Sequence, residues 1–341
     1  SEFPPVSTEA WEKVITEDLK GADYEKKLVW RTEEGFKVKP YYREEDLKQL
    51  EFLRRNPGEF PFVRGSKTDG NQWYIRQEIQ VEQGKSVEAN KKALQLLTKG
   101  VNSIGFRICG SVEISYDDFV ALMANICLQE TEVNFTLGKQ AHLIVKYLVR
   151  FLDENKINYS SFKGSIELDP LGTLVRKGTI KSIAATIEEA LEMVAAIRKE
   201  AAVIPGLKTI AIHGKYYGNA GATLTQELAF SLSQGVEYLS RLTEKGLSIE
   251  EISPAMKFVF STGANYFLEI ARIRAARLLW AHIIKEYGAK SEDLCKAYIH
   301  TETSSWNMTL YDPYVNMLRT TTESMSAIIG GTDSHTTLPF D

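Results

Sequence analysis

Hydrophobic and polar positions change period along this chain, and the change divides it in two. From Trp73 onward, short apolar runs of strand length alternate with stretches in which apolar residues recur at helical spacing. The strand-like runs fall at 73–80, 103–108, 132–137, 163–168, 208–213, 256–260, 296–301 and 326–330. Helical patterns fill the gaps at 86–99, 116–128, 139–154, 186–200, 221–242, 263–287 and 312–325. Gly100, Gly246 and Gly288 follow three of these helices, where left-handed caps belong. Strands alternating with helices in this order predict an α/β fold, a (β/α)8 TIM barrel, with no helix after the eighth strand.

The first 65 residues do not fit that alternation. Trp11, Val14, Ile15 and Leu19 mark one helix that Gly21 stops, after which a charged segment carries isolated aromatics, among them Trp30, Phe36, Tyr41 and Tyr42. Such a segment has little apolar surface to bury against itself. The expected organisation is therefore an N-terminal extended and helical interaction arm over 1–65 and a barrel over 66–341, with Trp30, Tyr41 and Tyr42 needing a surface to pack on, either the chain's own barrel or another subunit.

Composition narrows the class. With 41 basic and 45 acidic residues well mixed and a formal charge of -4, the chain offers no electrostatic footprint for nucleic acid or an anionic membrane. No stretch approaches the ~20 apolar residues of a membrane span, and the N-terminus lacks the apolar core of a signal peptide. Cys109, Cys127 and Cys295 are widely spaced and form no CxxC, which suits reduced, buried thiols and a cytoplasmic protein.

On a barrel, catalytic groups sit at the C-terminal ends of the strands. That rule gathers Gln77, Glu78, Arg107, Thr136, Glu167, Asp169, His213, Lys215, Tyr216, Phe260, Ser261, His300, Glu302, Asp333 and His335. The loop after the fifth strand, in KTIAIHGKYYGNAGA (208–222), places Lys215, Tyr216 and Tyr217 between strand and helix. An autonomous metal-dependent hydrolase or lyase would draw on His213, His300, Glu302 and His335. The spacing offers neither HxH nor HExxH, however, and no GxSxG or Walker loop is present.

Taken in order, Gly21 with Trp30, Thr32 and Gly35, then Pro61-Phe62-Val63-Arg64-Gly65, Ile75-Arg76-Gln77, Ala220-Gly221-Ala222, and His300 with Trp306 carry a resemblance over nearly the whole chain. The chain resembles the methylmalonyl-CoA mutase family of adenosylcobalamin-dependent isomerases, and within it the small, non-catalytic subunit of the heterodimeric bacterial enzymes. The resemblance implies an N-terminal arm that wraps the partner, and a role in propionate metabolism through interconversion of (R)-methylmalonyl-CoA and succinyl-CoA.

It also implies site positions, and here the chain departs from the catalytic members. Where they carry tyrosine then histidine after the fifth strand, this chain has Lys215 and Tyr216; where they use a glutamine on the fourth strand, it has Glu167. The loop Ser66 to Gln72 lacks the tyrosine that helps drive adenosyl off cobalt, and Arg176 does not align with the arginine that grips the substrate carboxylate. Facing the cofactor side, His300 matches while Glu302 replaces a glutamine. Asp333-Ser334-His335-Thr336 resembles the opening of the DxHxxG cobalt-ligand motif only superficially, and the cobalamin-binding module is not within these residues.

The expectations are thus that no residue is catalytic, that this chain binds neither metal nor cofactor, and that adenosylcobalamin belongs to a homologous large subunit. Lys215 is expected to pair with Glu167 or Glu302, and the two carboxylates to leave uncompensated negative charge in the cavity.

Overall fold

A computed structural model describes residues 4–108, 112–138 and 140–341. It divides into two compact units, Ser1–Arg54 and Arg55–Asp341.

The first unit is thin. It holds a helix over Thr8–Asp18 capped by the Ser7 hydroxyl, a two-stranded ribbon pairing Trp30–Arg31 with Lys37–Val38, and short helical turns. Thr32 is its one buried residue among those described, tied to Phe36 by backbone and hydroxyl hydrogen bonds. Trp11 stacks on Tyr41 at 5.5 Å, yet Trp30 remains 48% exposed and Tyr42 57%. This unit has aromatic surface and no core.

The second unit is a parallel barrel. Its strands are β1 (Tyr74–Val81), β2 (Ser103–Ile108), β3 (Glu132–Thr136), β4 (Gly164–Glu167), β5 (Leu207–Lys208 continuing as Ile210–Ile212), β6 (Met256–Thr262), β7 (Ile299–Thr303) and β8 (Ser334–Thr336). Closure occurs at β5, which changes partner in mid-strand. Leu207 and Lys208 pair with β4, the Thr209 amide donates to Ala255 O at 3.0 Å, and Ile210–Ile212 pair with β6. β8 closes the other seam, with Ser334 opposite both His300 of β7 and Tyr74 of β1.

Side-chain alternation then sorts the strands into two layers. Ile104, Phe106, Val133, Phe135, Ile166, Ile212, Phe258 and Phe260 are buried in the apolar core. Trp280 of the helix Tyr266–Glu286 meets Phe258 edge-on at 4.7 Å. The opposite positions fill the barrel with polar groups: Arg76, Ser103, Glu132, Asn134, Ser165, Glu167, Lys257 and His300 are all buried. Gly105 belongs to this inner layer because a β-carbon there would lie 2.3 Å from Glu78 Oε1.

The eighth strand is not where periodicity placed it. Residues 326–330 end the long helix Pro313–Gly330, which Gly331 caps in the left-handed region, and the strand follows at Ser334–Thr336. Short apolar runs suit either element, and here the run from Ala327 to Ile329 continues a helix. Asp333 accordingly lies at the N-terminal end of β8, away from the rim. Its carboxylate accepts from the Ile299 amide and pairs with Arg277, both at 2.8 Å, and Arg277 also donates to Ala297 O at 2.7 Å. Lys215 to Gly218 form a short helix instead of a loop, and an unanticipated helix spans Pro170–Lys177. Of the thiols, Cys295 is buried and Cys127 is exposed, contrary to expectation, while Cys109 lies outside the described residues.

Arg277 therefore fastens β7, β8 and an outer helix together. Arg277→Met should lower unfolding free energy by roughly 3 kcal/mol or more, since Asp333 is left buried without its close cation. Denaturant melts would check this, and a loss below about 1 kcal/mol would refute it.

Candidate rim site

The C-terminal mouth of the barrel holds a cavity of about 500 Å³. Three charged groups form its floor and wall, each organised around one carboxylate.

Glu167, at the end of β4, is the deepest. Its Oε1 accepts from Arg76 Nη1 and from Lys257 Nζ, both at 2.7 Å, and its Oε2 accepts from Thr136 Oγ1 at 3.1 Å. Arg76 also pairs with Glu78 at 2.6 Å. Burial alone would push the Glu167 carboxyl up, but the two cations hold it well below the usual range. The expected uncompensated charge is thus absent, because β1 and β6 each aim a buried cation at this carboxylate.

Asp169 caps the helix Pro170–Lys177 through the Gly172 amide at 2.8 Å. The same oxygen accepts from Gln234 and Tyr238, both at 2.7 Å, and the other accepts from the His213 backbone at 2.9 Å and Nδ1 at 3.0 Å. His213 Nε2 lies 3.4 Å from Glu167 Oε2. Burial opposes the imidazolium, yet Tyr216 and the hydrogen bonds to Asp169 and Glu167 raise His213 from its ordinary 6.5 to about 10.

Lys215 pairs with Glu302 at 2.6 Å, not with Glu167, and both line the cavity. The ring of Tyr216 stacks on His213 at 5.2 Å, and the Arg176 guanidinium lies over the same Tyr216 ring, 5.2 Å from its centroid. His300 sits behind Glu302, its Nδ1 2.7 Å from Ser334 Oγ and its Nε2 3.6 Å from Glu302 Oε1. His335 leaves the site altogether: it contacts Thr301 at 2.8 Å and Ser324 of the outer helix at 2.9 Å. β-strand alternation explains the split, since His300 and Glu302 share one face while Thr301 and His335 face the helices.

Neutral-pH proton transfer needs a group that titrates near neutrality. Burial lowers His300 to about 3 and His335 to about 4, whereas His213 is held near 10. None of the three suits that role. Among the described residues, no group of three His, Cys, Asp or Glu side chains is placed to hold a metal ion.

Several members of this constellation escaped the sequence reading. Lys257 stands in the otherwise apolar run MKFVF, where a buried lysine demands a partner, and that isolation was the available signal. Gln234 and Tyr238 come from the helix Leu224–Glu244, and no local pattern ties them to Asp169.

Asp169→Ala should cost roughly 3–5 kcal/mol, because it strands a buried imidazolium and several donors. His213 has a folded pKa above its unfolded value, so its contribution is complete below about 6.5 and is lost as pH rises through about 10. Denaturant titrations of wild type and His213→Gln at neutral and alkaline pH should show the difference between them shrinking toward pH 10. A pH-independent difference would exclude the charged imidazole.

Comparison with known proteins matches the description of methylmalonyl-CoA mutase over residues 31–118 and 108–341. The chain is 42% identical over its whole length to the methylmalonyl-CoA mutase small subunit of Porphyromonas gingivalis W83, covering 54% of that protein. It is 32% identical to the small subunit of Streptomyces virginiae, again over its whole length and 55% of the relative. The large subunit of the same organism is 29% identical across 99% of the chain and 49% of its own length. The chain thus spans about half the length of these relatives. A family match running almost from end to end, joined to a closed parallel barrel, shows that this chain belongs to the methylmalonyl-CoA mutase family of isomerases.

Proposed function

We propose that this chain is the barrel-bearing part of a small subunit of methylmalonyl-CoA mutase and acts without catalysing the reaction itself. Its partner is a homologous large subunit in a cytoplasmic heterodimer. That subunit holds adenosylcobalamin and interconverts (R)-methylmalonyl-CoA and succinyl-CoA. The observation that carries this reading is the mouth of the barrel, where Lys215 is paired with Glu302 and Tyr216 lies against His213 and Arg176, at the positions where the resemblance puts tyrosine and histidine in catalytic members.

Two further features support it. Both small-subunit relatives align with the entire chain. The carboxylates Glu167, Asp169 and Glu302 are each paired with a cation or imidazole of this chain, while Arg107 and Lys177 also line the cavity. No described helix is long and apolar enough to cross a membrane. Lys215, Tyr216 and Glu167 are then the remnants of the catalytic positions, and His300 and Glu302 those of the cofactor-facing side.

Given adenosylcobalamin and methylmalonyl-CoA, the purified chain should yield neither succinyl-CoA nor a cob(II)alamin signal, and Tyr216→His should not restore turnover. Turnover above a heat-killed control would sink the proposal. The arm supplies a second check. Trp30→Ala should weaken association with the large subunit while leaving the barrel's melting nearly unchanged, because Trp30 is half exposed on a unit with no core. A large drop in melting temperature without loss of binding would count against an interface role.

A further inference from the structure

The long helix Pro313–Gly330 turns a polar face inward, and on that face stands a carboxylate without a counter-charge. Glu323 is fully buried. Its Oε1 accepts from Asn307 Nδ2 at 2.7 Å, while its Oε2 has no hydrogen-bond partner among the described residues. The amide of Asn307 is in the same position, because its nitrogen serves Glu323 and its buried Oδ1 has no partner either.

The charged and titratable groups around this pair are engaged elsewhere. Arg319, on the same helix, donates to Asn316 Oδ1 at 2.9 Å. From the helix Tyr266–Glu286, Arg272 is held by Glu227 and Glu269, and Arg277 by Asp333. His335 of β8 is held by Thr301 and Ser324. Lys257 of β6 and His300 and Glu302 of β7 face the barrel interior.

Two acceptors cannot satisfy each other, and a bare carboxylate oxygen in a dry site is costly. A single proton removes both deficits. A carboxylic acid and a primary amide close a pair in which the amide N–H donates to one acid oxygen and the acid O–H donates to the amide oxygen. The bond from Asn307 Nδ2 to Glu323 Oε1 is one half of that pair, and the two bare atoms are the other half. Burial pushes the Glu323 carboxyl up to about 7, and Glu269 adds to the rise. The Asn307 amide, the Ser304 N–H, which itself donates to Thr262 O at 2.8 Å, and Arg319 pull the other way without cancelling it.

Asn307 belongs to the loop 304–312, which runs from the rim to this helix. Ser304 Oγ and the Ser305 amide both donate to Asn219 Oδ1 at 3.1 Å, and Asn219 lines the mouth cavity. Trp306 lies over Gly221, where an added β-carbon would come 3.0 Å from its ring. Further on, the Thr309 amide donates to Asn316 Oδ1 at 3.0 Å. Trp306, Leu310 and Tyr311 are all exposed, so polar ties and not packing decide where the loop lies.

We infer that Glu323 and Asn307 form a proton-dependent latch: the neutral acid closes a two-bond pair with the amide and holds loop 304–312 on the helix, and loss of the proton breaks one of the two bonds and loosens the loop beside the rim. The latch belongs to this chain alone and does not depend on its partner. The closed pair keeps its proton to about 7, whereas a released carboxyl gives it up near the ordinary 4.5. Closure is therefore favoured in full below about 4.5, loses that advantage by roughly tenfold per pH unit up to about 7, and changes little above it.

Hydrogen exchange of the 304–312 amides, followed by mass spectrometry across this pH range in wild type and Glu323→Gln, tests the latch. Glutamine reproduces the pattern of the neutral acid, accepting from Asn307 Nδ2 and donating to Asn307 Oδ1, so the variant should open equally at every pH. Wild type should open roughly tenfold more per pH unit relative to the variant up to about 7, and then level off. Infrared difference spectra between the two proteins should show a protonated carboxyl band in wild type below pH 7 that fades above it. Absence of that band makes Glu323 ionised and overturns the inference. A band with a pH-independent exchange ratio leaves the proton in place but overturns the latch. If Glu323→Gln fails to fold, the wild-type exchange profile, corrected for the intrinsic rate, carries the same slope, and a flat profile overturns the latch equally.

Discussion

The carboxylate of Glu167, gripped by Arg76 and Lys257 in the middle of the barrel, is the interaction on which the interior depends. A barrel of this kind is ordinarily packed with layers of branched apolar residues. Here the layers are polar, and each buried charge must meet its partner at close range or cost several kcal/mol. Ser103, Asn134 and Ser165 join the network by hydrogen bonds to Glu132 and to one another, and Tyr298 donates to Glu132 from across the barrel. Such an interior is demanding in register. Slipping any strand by one residue would turn its charges toward the helices and its apolar residues inward.

The rim extends the same principle upward. His213 stays protonated because Asp169 and Glu167 surround it, and Asp169 in turn is held by a helix terminus, an amide side chain and a tyrosine. Lys215 and Glu302 complete the pairing above. The mouth is thus lined by buried ion pairs, with Arg107 and Lys177 also on its wall.

The outer layer follows a different constraint. Most helices bury apolar faces against the strands, as Phe119, Leu148, Val194 and Leu239 do. Helix 313–330 reverses this, presenting hydrogen-bonding groups to the loop 304–309 and the chain's last residues and apolar groups outward. The aromatic arm shares that outward apolar character, through Trp30, Phe36 and Tyr42.

Much of this was legible in the residues themselves. The two-residue period of 103–108 and 132–137 and the helical period of 263–287 determine their elements, because backbone geometry ties each period to one conformation. Eight such alternations leave little choice but a barrel, and the ordered motifs from Trp30 to Trp306 carry the family. The run at 326–330 was not decidable locally, since five apolar or small residues suit either element and only packing against Ile270 and Ile273 makes them helical. The pairing of Lys215 with Glu302 and of Lys257 with Glu167 lay equally beyond the sequence. These partners stand 87 and 90 positions apart, and a charge pattern along the chain says nothing about which strands closure brings together. Local order thus belongs to the sequence, while the fate of each buried charge is decided by the closed barrel, where a dry interior forces every one to find a counter-charge.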